Sequence, residues 1–261
     1  MSDQSIGIFD SGVGGTSIWK EIHELLPEEN TIYLADSKNA PYGEKSKKEI
    51  LELSVKNTEF LLDRGCKLMV VACNTATTNA IDYLRENYDV PFIGIEPAIK
   101  PAALKSKSKT IGVLATKGTL SSSLFHSTSE NHASGIRIIE REGTGLVRLI
   151  ESGKAESETS KELLEIYLAP MLEAGMDHLV LGCTHYPYLI PVLKEMLPDG
   201  VNIIDSGEAV ARQTKAVLTK NSLLNLSKET KKLRFYTNTK AAVLEEFLAK
   251  VGGVEVSYLD F

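Results

Sequence analysis

Two cysteines stand where apolar runs of the chain give way to polar residues: Cys73 in VVACNTATTN (residues 70–79) and Cys183 in LVLGCTHYPY (residues 179–188). A cysteine is usually a small buried hydrophobe. Here an amide or hydroxyl and, in the second case, an imidazole follow at once, groups that a core must satisfy at a cost unless they face a cleft. A free thiol has a pKa of about 8.5, so thiolate chemistry at neutral pH needs neighbours that help. His185 lies two positions after Cys183, on the same side if that segment is extended. No histidine is near Cys73 in sequence, and Asp10, ending the run SIGIFD, is the candidate to assist it from another strand end. Two such thiols facing one cleft serve either as a redox pair close enough to bond or as an acid and a base on opposite sides of a substrate carbon. The hydroxyls and amide around them favour the second use, because they can hold a carboxylate and an ammonium together.

Other residues carry weaker signals. Cys66 in DRGCKLM precedes a strand with no polar neighbours and reads as structural. The turn Asp10-Ser11-Gly12-Val13-Gly14-Gly15 resembles a phosphate cradle but lacks the lysine of a P-loop and the full GxGxxG spacing, and its aspartate would repel a phosphate. NAPYGEKS (residues 39–46) is a proline-containing turn whose Tyr42 and Gly43 could approach a ligand through their backbone. Glu151, closing the helical stretch LIESGK, would ordinarily be a solvated acid.

The elements that must position these residues follow from the rhythm of the chain. Short β-branched apolar runs (SIGIFD, NTIYLAD, KLMVVAC, VPFIGIE) alternate with amphipathic stretches, which predicts an α/β fold of mostly parallel sheets flanked by helices. Polar residues at the ends of such runs fall on the carboxyl edge of the sheet, where ligands bind in this class. IGIFDSGVGG (residues 6–15) resembles IGVLATKGTL (residues 111–120), and Cys73 follows Gly7 by 66 residues where Cys183 follows Gly112 by 71. Two similar lobes related by a pseudo-twofold are therefore expected, with the active site between them: residues 1–97 with 206–261, holding Asp10 and Cys73, and residues 98–205, holding Cys183 and His185. Residues 96–109, with two prolines and a basic run, read as the crossing between lobes. The last strands and helix should pack back on the first lobe, and residues 218–232 read as a solvated loop.

The 261 residues are 43% hydrophobic and 25% charged, with a formal net charge of −6, so no basic stripe points to nucleic acid. No apolar run is long enough to span a bilayer, the N-terminus shows no secretory pattern, and three scattered cysteines do not make a disulfide framework. A cytoplasmic protein with reduced thiols, acting on a small molecule, is the expectation.

Taken in order, FDSGVGG, PYGEKS, ACNTATT, LATKGT and LGCTHYP resemble the motifs of the glutamate racemase family, one of the cofactor-independent aspartate/glutamate racemases. The resemblance spans nearly the whole chain. It implies interconversion of L- and D-glutamate, for peptidoglycan, by a two-base mechanism without pyridoxal phosphate or metal. Cys73 and Cys183 would exchange the roles of thiolate base and thiol acid, with Asp10 assisting Cys73, His185 assisting Cys183, and Glu151 as a further acid. Asp10, Ser11, Tyr42, Gly43, Asn74, Thr75, Thr184 and His185 match substrate-binding positions, and Thr116 and Thr119 join them. A homodimer is implied as well. Ala35 and Ser37 stand where the family more often has Gly and Thr, and TSIW replaces a common Leu-Thr-Val run; these departures spare the catalytic positions. The N-terminus carries no extension of the kind that accompanies activation by a cell-wall precursor, so no such activation is expected. A sister racemase acting on aspartate, a dithiol redox protein and an amino-acid-binding module are the competing readings.

Overall fold

The computed structural model describes residues 3–132, 135–227 and 230–261. From the N-terminus run β1 (Ile6–Asp10), α1 (Thr16–Leu25), β2 (Thr31–Ala35), α2 (Lys47–Asp63), β3 (Leu68–Val71), α3 (Asn74–Asn87), β4 (Phe92–Gly94) and α4 (Ile99–Lys105). Next come β5 (Thr110–Ala115), α5 (Lys117–Leu120), α6 (Ser123–His132), β6 (Arg137–Glu142), α7 (Leu146–Glu151), α8 (Glu158–Glu173), β7 (His178–Gly182), α9 (Ile190–Met196) and β8 (Asn202–Ile204). The chain closes with α10 (Gly207–Lys220), β9 (Leu233–Thr237), α11 (Ala241–Leu248) and β10 (Val254–Tyr258).

The strands form two parallel sheets, one ordered β10-β9-β2-β1-β3-β4 and the other β6-β5-β7-β8. The order β2-β1-β3-β4 of the first is repeated as β6-β5-β7-β8 in the second, so the repeat expected from the two Ile-Gly strands is a repeat of topology. Every residue of β1, β2, β3, β5 and β7 is buried, which is why these strands read as continuous apolar runs. Alternation divides them between two faces. Ile6, Ile8, Tyr33 and Val70 pack with Trp19 and Ile22 of α1 and Val210 of α10. Phe9, Leu34, Met69 and Val71 pack with Ile50 and Leu61 of α2 and Leu84 of α3. Full burial of such side chains contributes about 1.5–3 kcal/mol each before conformational entropy is set against it.

Two readings of connecting segments change. The crossing at residues 96–109 contains the helix α4, because Pro101 lies in its first turn, where the missing N–H has no intrahelical partner to lose. Residues 218–232 are not uniformly solvated: Leu218 is fully buried against the α1 face, and the buried Asn225 donates its N–H to Glu29 Oε1 at 2.7 Å. Lys228 and Glu229 of that segment lie outside the described residues.

Candidate active site

In a sheet ordered β2-β1-β3-β4, the connections after β1 and β3 leave in opposite directions, opening a crevice at the carboxyl ends of those two strands. Asp10 ends β1 and Cys73 follows β3, while Thr116 and Cys183 follow β5 and β7 at the equivalent point of the second sheet. Ser11, Tyr42, Gly43, Cys73, Asn74, Thr75, Thr116, Cys183, Thr184 and His185 line one small cavity. Both thiols and most of the residues singled out in the sequence thus share one enclosure. All three cysteines of the chain are free thiols.

The Cys183 side is organised by a relay. His185 Nδ1 lies 3.8 Å from Cys183 Sγ, and its Nε2 lies 2.6 Å from Glu151 Oε1. The segment is not extended as the spacing suggested. His185 has helical backbone angles and leads into a 3-10 turn at Tyr186–Leu189, which brings the ring beside the sulfur by folding the chain back. Burial alone would disfavour a charged imidazole, but hydrogen bonds to Cys183 and Glu151 and their charges hold the pKa of His185 well above its ordinary value. Glu151 is therefore no solvated acid; its side chain, 17% exposed, is the partner of a buried histidine.

The glycine turn after β1 receives this relay. Val13 N–H donates to Glu151 Oε1 at 2.8 Å, Gly14 N lies 3.2 Å from His185 Nε2, and Gly15 N–H donates to Asp10 Oδ2 at 2.8 Å. The Val13 and Gly15 N–H groups that could cradle a phosphate are already taken by the chain's own carboxyl groups. A side-chain carbon on Gly12 would overlap Glu151, and one on Gly14 would overlap the His185 ring, so these two glycines serve close approach between the halves of the molecule. Gly14→Ala should push the imidazole aside and lower kcat/KM about a hundredfold, by displacement on the order of 1 Å. Steady-state kinetics together with a thermal melt check this, and unchanged kinetics in a folded variant would rule it out.

Cys73 has different company. It is the N-cap of α3, accepting from Ala76 N–H at 3.4 Å, with Ser11 Oγ at 3.7 Å. Burial holds its thiol far above the usual pKa, the nearby Asp10 adds to the rise, and the contacts to Ala76 and Ser11 offset part of it. Asp10 itself is fully buried and bonded to Gly15 N–H and, at 3.3 Å, to Thr184 Oγ1 across the cleft. Burial raises its pKa to about 6, against the pull of His185 and the Gly15 N–H. An acid with a raised folded-state pKa binds more protons folded than unfolded across the interval between the two values, so stability falls as pH rises through it. Relative to Asp10→Asn, the parent should lose about 2 kcal/mol of unfolding free energy between about pH 4 and pH 7. Urea titrations at both ends measure it, and a pH-independent difference between the two proteins would contradict it.

The remaining candidates fall into two groups. Thr75, Thr116 and Thr119 join their hydroxyls, with Thr75 to Thr116 at 2.8 Å and Thr116 to Thr119 at 3.1 Å, bridging the two halves of the cleft. Thr119 is fully buried and, unlike Thr116, is not among the residues lining the cavity. Asn74 is buried with Oδ1 lacking a hydrogen-bond partner, an acceptor left open beside the thiols. Tyr42 turns its hydroxyl to Asp36 Oδ2 at 2.5 Å, so that oxygen is already engaged within the protein. Pro41 and Val147 also line the cavity. Nothing in their residue types or spacing set them apart from an ordinary loop and an apolar helix face.

A family model described as Asp/Glu/Hydantoin racemase matches residues 6–214. A glutamate racemase of Herpetosiphon aurantiacus is 47% identical over 225 residues, covering 86% of this chain and 89% of that protein. One from Pseudomonas aeruginosa is 44% identical over 254 residues, covering 97% and 96% respectively. The solved structure of Escherichia coli glutamate racemase in complex with L-glutamate and the activator UDP-MurNAc-ala superposes with a TM-score of 0.85 at 34% identity, covering 98% of this chain and all of that one. With both cysteine-bearing crevices, the strand order and these likenesses in agreement, the chain belongs to the aspartate/glutamate/hydantoin racemase family.

Proposed function

We propose that this protein is a glutamate racemase, interconverting L- and D-glutamate by two-thiol proton transfer at Cα without a cofactor and supplying D-glutamate for peptidoglycan. The observation that carries the two-thiol reading is the single cavity lined by Cys73 from one sheet and Cys183 from the other. Inversion at a tetrahedral carbon needs a base on one face and an acid on the other, and the repeated topology supplies one thiol from each half.

The α-proton of an amino acid is very weakly acidic, so the site must strip water from the attacking thiolate and stabilise charge on the carboxylate as the proton leaves. Burial of both sulfurs serves the first need. For the second, the N-terminus of α3, opening at Asn74 and Thr75, offers N–H groups and the positive end of a helix dipole. The open Asn74 Oδ1 suits the substrate ammonium. Ser11, Thr75, Thr116 and Thr184 contribute hydroxyls, Tyr42 and Gly43 close the cavity, and Thr119 supports Thr75 and Thr116 from behind. In one direction Cys183 takes the proton beside a histidine held in its protonated form, and Cys73, kept as a thiol by burial, gives one to the opposite face. In the other direction the roles reverse, and Asp10 is the acid whose charge acts on the Cys73 thiol.

The division into residues 1–97 with 206–261 and 98–205, a cytoplasmic location and a homodimer belong to the same reading. The two sheets support the first. No helix among the described residues is long and apolar enough to cross a membrane.

Proton NMR of L-glutamate and, separately, L-aspartate in deuterated water tests the function. Loss of the α-proton signal with rotation falling to zero is expected for glutamate. Exchange with aspartate alone would move the assignment to the aspartate enzyme, and exchange with neither would overturn it.

A further inference from the structure

The segment from Ala40 to Gly43 separates the cavity from two more open depressions on either side: Pro41 and Gly43 line one of these as well as the cavity, and Ala40 and Pro41 line the other. It belongs to no strand and no α-helix: Ala40 and Pro41 lie between two short 3-10 turns, Ser37–Asn39 and Tyr42–Glu44. Its geometry must come from side chains. The hub is Asp36, 1% exposed, which accepts from Tyr42 OH at 2.5 Å, Asn39 Nδ2 at 2.8 Å and Asn238 Nδ2 at 2.6 Å. Asn238 in turn accepts the Lys38 N–H at 2.9 Å through Oδ1.

The sheet places Asn238 there. Thr237, the last residue of β9, stands beside Ala35, the last of β2, so the next residue of each strand meets the other at the carboxyl edge. An asparagine fits because one amide face gives a proton to the Asp36 carboxyl while the other takes one from the backbone. Asn238 lies after the residues that the family model matches, in the terminal strand-helix-strand unit.

We propose that Asn238 is a positioning residue for the reaction: it clamps the loop that carries Tyr42 and Gly43 over the cavity, and so sets how tightly the site holds substrate. This rests on the racemase reading. Removing a hydrogen bond to a charged partner together with one to the backbone should raise KM about tenfold for both enantiomers in Asn238→Ala, with kcat changed less than about threefold. A role in folding alone would reduce the amount of active enzyme and leave KM where it was. Asn238→Asp sets two carboxyl groups against each other and should raise KM at least as far.

The kinetics are measured in both directions by circular dichroism, with Asn238→Ser, which keeps a hydroxyl for the Lys38 N–H, as the variant used if Asn238→Ala does not fold. KM within about twofold of the parent would overturn the clamp. A parent inert toward glutamate would overturn the racemase reading instead. The clamp is then decided by hydrogen–deuterium exchange at residues 37–43, where faster exchange in Asn238→Ala sustains it and unchanged exchange removes it.

Discussion

Replacing either Cys73 or Cys183 by alanine should lower racemisation by about 10⁴-fold, the upper end of what one positioned acid or base contributes. The reason is geometric. Each thiol follows a strand of a different sheet; on the proposed mechanism each serves one face of Cα, so the survivor would not reach the face its partner served. The survivor can still act on its own face, removing the α-proton of one enantiomer and returning a solvent deuteron without inversion. In deuterated water each variant should therefore wash out the α-proton of one enantiomer only, and the two variants should choose opposite enantiomers. Washout is read by proton NMR and inversion by circular dichroism on the same samples. A variant that inverts at the parental rate, or two variants that exchange the same enantiomer, would refute the assignment of one thiol to each face. Cys66→Ala is the control: its sulfur packs beneath β1 against Gly7, away from the cavity lining, and its loss should leave both readouts unchanged.

How much of this was legible in the sequence depends on the kind of signal each residue leaves. Strands buried on both faces must be apolar along their length, and β1, β2, β3, β5 and β7 announce themselves for that reason. A thiol followed by polar groups at the end of such a strand is equally visible, because a core would not tolerate it. Contacts between residues distant in sequence leave no local trace. Glu151 closes a helix and looks like any surface acid until the fold sets it 2.6 Å from a histidine 34 positions away. The glycine turn at 12–15 reads as a poor phosphate cradle, and its Val13 N–H is taken by Glu151 from the second half of the chain. Asp36 and Asn238 carried no signal at all, since their pairing depends on the register of β2 against β9. The His185 side chain was placed correctly beside Cys183 for a mistaken reason, since two residues of turn brought the groups together where an extended strand was expected.

His185→Asn tests the relay more sharply than it first suggests. The imidazole touches one thiol only, so the naive expectation is a variant crippled in one direction. Thermodynamics forbids that in kcat/KM. Enantiomers have equal free energies in achiral water, the equilibrium constant is unity, and kcat/KM must fall by the same factor both ways; about 10³-fold is expected for losing the group that exchanges charge with Cys183. The asymmetry has to appear elsewhere. Once transfer at Cys183 is the slow step, α-deuterated substrate should show a larger primary isotope effect in the direction where Cys183 abstracts the proton, while the opposite direction shows less change. Glu151→Gln keeps a hydrogen-bond acceptor for Nε2 but removes the charge that helps hold His185 protonated, so it should give the same pattern at about tenfold smaller cost. Its pH profile should also shift, with the limb belonging to His185 moving to lower pH, because a neutral partner no longer favours the cation. Equal isotope effects in both directions for His185→Asn would mean that the imidazole serves the whole cavity and is no private partner of Cys183.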